Sequence, residues 1–181
     1  MTTSWVERAV LVGVVVVLFA AVLLLMRRGW RARARRQADI PMPSGAPVAA
    51  IRWLDEPVDG RYLSSTRAGD WLDRIVVHSM GVPSRARIGR DIDGVWIERQ
   101  GAADLFIPAA SLIGARLDRG IAGKVYEQGG IVTITWRLGG TEIDTGFRAD
   151  APVRHQEVVA DINAVLAKGP SPVRPASGGV Q

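Results

Sequence analysis

The chain has 181 residues, 48% of them hydrophobic and 6% aromatic, with 20 glycines, 10 prolines and no cysteine. That length suits one domain with appendages and excludes two ordinary domains with separate cores. The composition is neither that of a disordered chain nor that of a fibre. A net charge of +5 and a pI near 10.6, averaged over the chain, would suggest a nucleic-acid binder, but the charge is unevenly spread.

The first feature in chain order is Ala9 to Met26, 18 residues without a charge or a strongly hydrogen-bonding side chain. At about 1.5 Å per residue a helix of that length covers about 27 Å, close to the roughly 30 Å hydrocarbon core of a bilayer. A transmembrane helix is therefore expected at 9–26. Trp5 and Trp30, 25 residues apart, are spaced to anchor at the two interfaces. A cleaved signal peptide fits less well. The preceding flank holds only Glu7 and Arg8, which cancel, and the run ends in leucines, Met26 and arginines rather than a small-x-small site. A soluble buried helix fits less well still, because the run has no polar face.

Arg27, Arg28, Arg31, Arg33, Arg35 and Arg36 follow with no acid among them, and from Gln37 onward 16 basic residues face 17 acidic ones. Basic residues flanking a span stay in the cytoplasm. Residues 1–8 are thus expected outside, 27–36 at the inner face, and the rest in the cytoplasm, at the plasma membrane. Each of these arginines can add up to about 1 kcal/mol of attraction to an anionic leaflet. With the basicity assigned to topology, no nucleic-acid partner is expected. The lack of cysteine agrees with a reducing compartment.

Residues 37–50, with three prolines and a glycine, read as a linker, and 169–181, rich in Pro, Gly and Ser, as a disordered tail. Between them, 51–168 reads as one domain. Val132, Ile134, Trp136 and Leu138 alternate with Ile131, Thr133, Thr135 and Arg137, a period-two strand. Gly139-Gly140 then forms a two-residue turn into a strand through Ile143, Thr145 and Phe147. Shorter strands are expected at Trp71 to His78, Arg85 to Arg90, Val95 to Arg99, Leu105 to Ile107, Leu112 to Leu117 and Lys124 to Glu127, with a hairpin signal at Asp93-Gly94. The period then changes. Val158, Val159, Ile162, Val165 and Leu166 form a helical stripe, with Asp150 as expected N-cap, Pro152 in the first turn and Lys168-Gly169-Pro170 as the ending. The fold class is an N-terminal transmembrane helix followed by a mainly β, α+β domain. About seven antiparallel strands form a barrel or sandwich, closed by one C-terminal capping helix.

That order resembles the pleckstrin-homology (PH) superfold. The stretches Tyr62 to Arg74 (YLSSTRAGDWLDR), Asp104 to Pro108 (DLFIP), Leu117 to Lys124 (LDRGIAGK), Thr135 to Leu138 (TWRL) and Asp144 to Phe147 (DTGF) are similar to the bacterial PH-like domain of single-span actinobacterial membrane proteins, often labelled transporters or export proteins. The resemblance implies a cytoplasmic PH-like domain on a membrane anchor and supplies no catalytic residue. One span cannot enclose a transport pathway, so a transport role implies a subunit or an oligomer.

Chemical motifs are sparse. Gly120-Ile121-Ala122-Gly123-Lys124 has Asp118 and Val125 where a phosphate loop needs Gly and Ser or Thr, and reads as a glycine-rich β-turn. The two histidines, His78 and His155, are expected to be partly exposed structural residues, and no metal or cofactor is expected. Ser79, His78 and Asp73 lack the context of a catalytic triad, and Glu142 with Asp144 reads as a solvated strand face. One constellation remains: Arg85 and Arg87 alternate on a strand and point the same way, with Arg90 joining them if Gly89 forms a bulge. Paired arginines suit anionic headgroups, and PH domains that bind phosphoinositides resemble this arrangement. The sequence thus points to a membrane-anchored binding or scaffold module without catalysis, whose partners are the bilayer and a protein. The alternatives are an anionic-lipid headgroup sensor and an accessory subunit of a transport or export complex.

Overall fold

The computed structural model describes residues 4–44 and 53–168, in two compact units, 1–39 and 40–181. The first is helix α1, Trp5–Arg36. It starts at a reciprocal cap. The Glu7 N–H donates to Ser4 Oγ at 3.3 Å while the Ser4 N–H donates to Glu7 Oε2 at 3.1 Å, which satisfies donors that have no partner within the helix. Within its stretch Glu7–Ala32 an 18-residue window has a mean hydropathy of 3.2 with none of that window buried, and the stretch is long and apolar enough to cross a membrane. Trp5 and Trp30 are exposed near the two ends, as are Arg27, Arg28, Arg31, Arg35 and Arg36. The side chain of Arg33 lies outside the described residues.

The second unit is a mainly antiparallel sheet of eight strands with a C-terminal helix, a PH-like sandwich. Its strands are β1 (Val58–Arg67), β2 (Asp70–Arg74), β3 (Ser84–Asp91), β4 (Gly94–Arg99), β5 (Leu105–Pro108), β6 (Leu112–Asp118), β9 (Ile131–Leu138) and β10 (Thr141–Ala149). A small hairpin of β7 (Gly120–Ile121) and β8 (Lys124–Val125) lies off the sheet, and α2 is Arg154–Lys168. The strand order is β5-β4-β3-β1-β10-β9-β6, with β2 paired to β1 as a spur. The end strands β5 and β6 do not pair, so no barrel closes.

The strand at the centre of this order, β1, is the one the sequence pattern does not reveal. It contains Gly60 and the polar run Ser64-Ser65-Thr66, and its register to β10 shifts between Tyr62 and Ser64. A shift of this kind breaks the alternation that marks a strand. The polar run is nonetheless buried: the Ser64 and Ser65 hydroxyls are hydrogen-bonded, while Thr66 Oγ1 is buried with no partner among the described residues. Trp136 Nε1 donates to Thr145 Oγ1 at 2.9 Å, Thr145 Oγ1 lies 2.8 Å from Ser65 Oγ, Ser65 Oγ lies 2.8 Å from the Tyr62 hydroxyl, and that hydroxyl donates to the Met80 carbonyl at 2.6 Å. The last acceptor fixes every proton in the chain, which runs from indole to carbonyl. Burial pushes the Tyr62 phenol up to about 12.

Most expected strands are present, with informative changes at their ends. The strand expected at 71–78 stops at Arg74. The chain then makes a single helical turn at Val77–Ser79, with His78 at φ 54° and Ser79 at φ 60°. The hairpin between β3 and β4 turns on Ile92 and Asp93, since Asp91 pairs with Gly94. Gly94 is required for packing instead, because a Cβ there would strike the Ile107 carbonyl of β5. Gly139-Gly140 does form the β9–β10 turn, with Leu138 opposite Thr141. Trp136 and Phe147 are core residues, 1% and 0% exposed.

Helix α2 starts at Arg154, later than an Asp150 cap would place it. Residues 151–153 make the preceding turn, from which the Ala151 and Pro152 carbonyls accept the Arg154 and His155 N–H groups. Val158, Ile162 and Val165 are buried as the stripe requires, while Leu166 is 40% exposed. Asn163 covers the open edge of the sheet. Its Oδ1 accepts from the Ala115 N–H at 2.9 Å and its Nδ2 donates to the Ala115 carbonyl at 3.0 Å, which blocks strand addition at β6. The expected linker is already part of the domain at Ile40, which is 2% exposed within the core. The rest of that linker from 45, residues 51–52 and the expected tail lie outside the described residues.

Candidate ligand-binding surface

Along β1 the side chains of Asp59 and Arg61 face outward while Gly60 and Tyr62 face the core. The register places Arg61 opposite Arg85 on β3 and opposite Arg148 on β10. Three guanidinium side chains thus stand in one row across three neighbouring strands, where like charges directly opposite destabilise a sheet. Arg148 is partly neutralised. Its Nη2 lies 2.8 Å from Glu127 Oε1, and its guanidinium sits 5.1 Å from the centre of the Tyr126 ring. Arg61 and Arg85 have no ion pair among the described residues. The row, with Lys124 and Tyr126, lines a cavity of about 570 Å³.

Arg99 holds the wall of this cavity in place. It is 5% exposed. Its guanidinium lies 3.9 Å over the Tyr62 ring and donates to Ser84 Oγ at 3.2 Å and to the carbonyls of Ser79, Val82 and Ala103 at 2.9, 2.7 and 3.3 Å. Burial lowers its pKa, and the fan of acceptors compensates the charge. The segment from Ser79 to Ser84, which brings Pro83 and Ser84 to the cavity, is thereby tied to the sheet.

The three arginines singled out in the sequence go to three different environments. Arg87 shares the outer face with Arg85 but lies between Asp59 and Glu98 in the register, and its Nε and Nη2 both donate to Glu98 Oε2, at 3.0 and 2.5 Å. Arg90 points to the other face. The β3–β4 register runs unbroken from Ala86 to Asp91, so Gly89 forms no bulge, and a Cβ at Gly89 would meet the Trp53 ring at 2.6 Å. Arg90 pairs instead with Asp55 and, at 3.5 Å, with Asp161 of α2. Only Arg85 belongs to the basic row. The pattern missed its partners Arg61 and Arg148 because register, not spacing along one strand, brings them together.

A second cavity, of about 530 Å³, lies by Trp71, Arg116 and Asp144. Glu142 is exposed and pairs with Arg137 at 2.8 Å, but Asp144 is 7% exposed and is no part of a solvated face. Arg116 Nη2 is 2.9 Å from its Oδ2 and Thr135 Oγ1 donates to its Oδ1 at 2.6 Å. The hydrogen bond from Arg116 to Asp144 raises the Arg116 pKa.

The histidines are structural. His78 Nε2 donates to the Ile40 carbonyl at 2.9 Å, and Asp73 pairs with Arg67 at 3.2 Å, so Ser79, His78 and Asp73 form no triad. His155, expected to be partly exposed, is 2% exposed. Its Nε2 accepts the Ala149 N–H at 3.1 Å, and burial pushes its pKa down. Among the described residues no group of three or more His, Cys, Asp or Glu is placed to hold a metal ion.

A sheet of this order with one C-terminal helix defines a PH-like domain. A family model described as bacterial PH domain-like matches residues 38–163, and the chain belongs to that family. No curated protein matches it.

Proposed function

We propose that the chain is a single-span membrane protein whose PH-like domain is a cytoplasmic binding and scaffold module with no reaction of its own. The apolar run of α1 and the arginines at its C-terminal flank support a span with residues 1–8 outside and the domain inside. PH-like domains are generally non-catalytic, which supports the second half of the reading.

One observation carries the binding role: the row Arg85–Arg61–Arg148 beside Lys124. A row of like charges lowers the stability of a sheet, and an anionic group entering the cavity reverses that repulsion with charge-assisted hydrogen bonds. The module therefore recognises a partner through its phosphate or carboxylate groups.

The test is thermal unfolding of the full chain in uncharged detergent with inorganic tripolyphosphate as probe. A ligand that binds only the folded state at about 100 times its Kd adds about 2.7 kcal/mol, so Tm should climb with tripolyphosphate, and in Arg61→Ala/Arg85→Ala it should stay flat. A wild-type Tm that ignores the probe, or an equal rise in the variant, refutes the reading.

A further inference from the structure

A sheet that does not close has two edges, and the two differ here. At β6 the Asn163 amide occupies the Ala115 N–H and carbonyl. At the other end, β5 pairs with β4 alone among the described residues. The ladder fixes where each β5 backbone group points. The Gln100 N–H donates to the Arg85 carbonyl at 2.9 Å, so even-numbered residues of β4 turn to β3 and odd-numbered ones to β5. Val95 and Ile97 lie opposite Ile107 and Leu105, and these two pairs hold β5 to β4. The N–H and carbonyl of Phe106 and the carbonyl of Pro108 are thereby directed away from the sheet. Since proline has no N–H, this stretch of edge offers one donor and two acceptors. Phe106 is half-buried, and its ring centre lies 5.7 Å from that of Trp96. It forms the rim of an aromatic group that Trp53 completes from above Gly89, which lies opposite Trp96.

The chain that follows α2 emerges beside this edge. His155, in the first turn of α2, hydrogen-bonds the Gly129 backbone, and a Cβ at Gly129 would lie 3.6 Å from Leu117 near the end of β6. Asn163, about two turns on, is at Ala115, so α2 runs back toward the start of β6. From Asn163 to Lys168 the helix adds about 7.5 Å, the length of about two strand residues. Lys168 therefore ends near the turn Ala109–Ser111, which joins β5 to β6 and touches α2. The next residues are Gly169-Pro170-Ser171-Pro172-Val173. In an extended chain alternate N–H groups point to opposite edges. Pro170 and Pro172 strip the donors from one edge, while Ser171 and Val173 keep theirs on the other. A segment of this pattern can pair on one side only, as the last strand of a sheet must.

We propose that residues 171–173 add to the free edge of β5 as an antiparallel strand, with Val173 opposite Phe106 and Ser171 opposite Pro108. The Val173 N–H donates to the Phe106 carbonyl, the Phe106 N–H to the Val173 carbonyl and the Ser171 N–H to the Pro108 carbonyl. The edge's one donor and two acceptors are then all used. The Val173 side chain meets the Phe106 ring, a favourable cross-strand pair, and Gly169 and Pro170 span the gap from Lys168. A second copy joined β5 to β5 about Phe106 fits less well. It sets Pro108 against Asp104 at both ends and leaves each Asp104 carbonyl without a donor. With Asn163 at β6 and its own tail at β5, the domain presents neither edge of its sheet to neighbouring copies.

The test is residue-by-residue amide exchange, read by NMR on the full chain in uncharged detergent and on a chain ended after Lys168. The Phe106 amide should exchange about tenfold or more slowly in the full chain than in the shortened one. Val173→Pro, which removes the central donor, should exchange like the shortened chain, and Pro172→Ala should keep the protection. The Ala115 amide, held by Asn163, should be alike in all of them and reports that the sheet is intact. Because the chain has no cysteine, Phe106→Cys/Val173→Cys should also oxidise to a disulfide within one chain. Equal Phe106 exchange with and without the tail, or protection that survives Val173→Pro, overturns the proposal. So does protection that falls on dilution, or a disulfide that links two chains, since either places a second copy at the edge.

Discussion

Replacing Arg61 by Gln should make the domain more stable and less able to bind. Arg61 faces Arg85 on one side and Arg148 on the other, and Gln keeps most of the aliphatic stem while removing the charge. Each directly opposed like pair costs about 0.2–1 kcal/mol. Glu127, 2.8 Å from Arg148, removes much of one of them, so the gain should be about 0.5–1 kcal/mol at low ionic strength. For a domain of this size that corresponds to a rise of roughly 2–4 °C in Tm. The assay is thermal unfolding of the full chain in uncharged detergent, followed by near-ultraviolet circular dichroism, at low salt and in 1 M salt. In 1 M salt the Debye length falls to about 3 Å, and the gain should vanish. In a double-mutant cycle, Arg85→Gln should add less on the Arg61→Gln background than on the wild type, because the repulsion it relieves is already gone. A loss of stability at low salt, or a gain indifferent to salt, would refute the idea that the row is held under repulsion.

Four further outcomes are expected. Trp136→Ala should lower stability by roughly 3–5 kcal/mol, seen as a fall in the denaturation midpoint, since the ring is 1% exposed and its Nε1 starts the buried hydrogen-bond chain. Ser65→Ala should cost about 1–3 kcal/mol in the same measurement, because it leaves the buried Thr145 hydroxyl proton without its acceptor and takes away the donor to the Tyr62 oxygen. The His155 pKa is depressed mainly by burial and also by Arg148, against the opposing pull of a backbone hydrogen bond to Gly129 and of Glu127. The unfolded chain therefore takes up that proton first, so its share of stability is present above about pH 6.5 and lost as pH falls below it. A pH series of denaturation midpoints should show that loss in the wild type and less of it in His155→Gln. Asn163→Ala should uncover the Ala115 edge of β6 and promote strand-mediated self-association, read by light scattering at raised concentration.

The fold was legible in the sequence wherever one face of a strand is apolar and a turn residue marks its end. β9, the Gly139-Gly140 turn and β10 are such a case, as is the helical stripe Val158, Ile162 and Val165. It was illegible where burial is polar. β1 lies in the middle of the sheet yet reads Ser-Ser-Thr, since hydrogen bonds to Tyr62 and Thr145 replace apolar contacts for Ser65. The site was half legible for a related reason. Spacing along β3 brings Arg85 and Arg87 to one face, but only the register with β4 pairs Arg87 with Glu98, and only the registers of β1 place Arg61 and Arg148 beside Arg85. Asp144 was misread because its Arg116 partner comes from β6, 28 residues earlier.

The most direct test of a binding role for the row is photo-crosslinking in living cells from Pro83, exposed on the cavity wall. Pro83 is replaced by benzoylphenylalanine in the full chain, with or without Arg61→Glu/Arg85→Glu. Light should yield an adduct on the wild-type background that disappears when the two charges are reversed. An adduct of equal yield in both, or none in either, would contradict the assignment of the arginine row as the surface through which this PH-like domain binds.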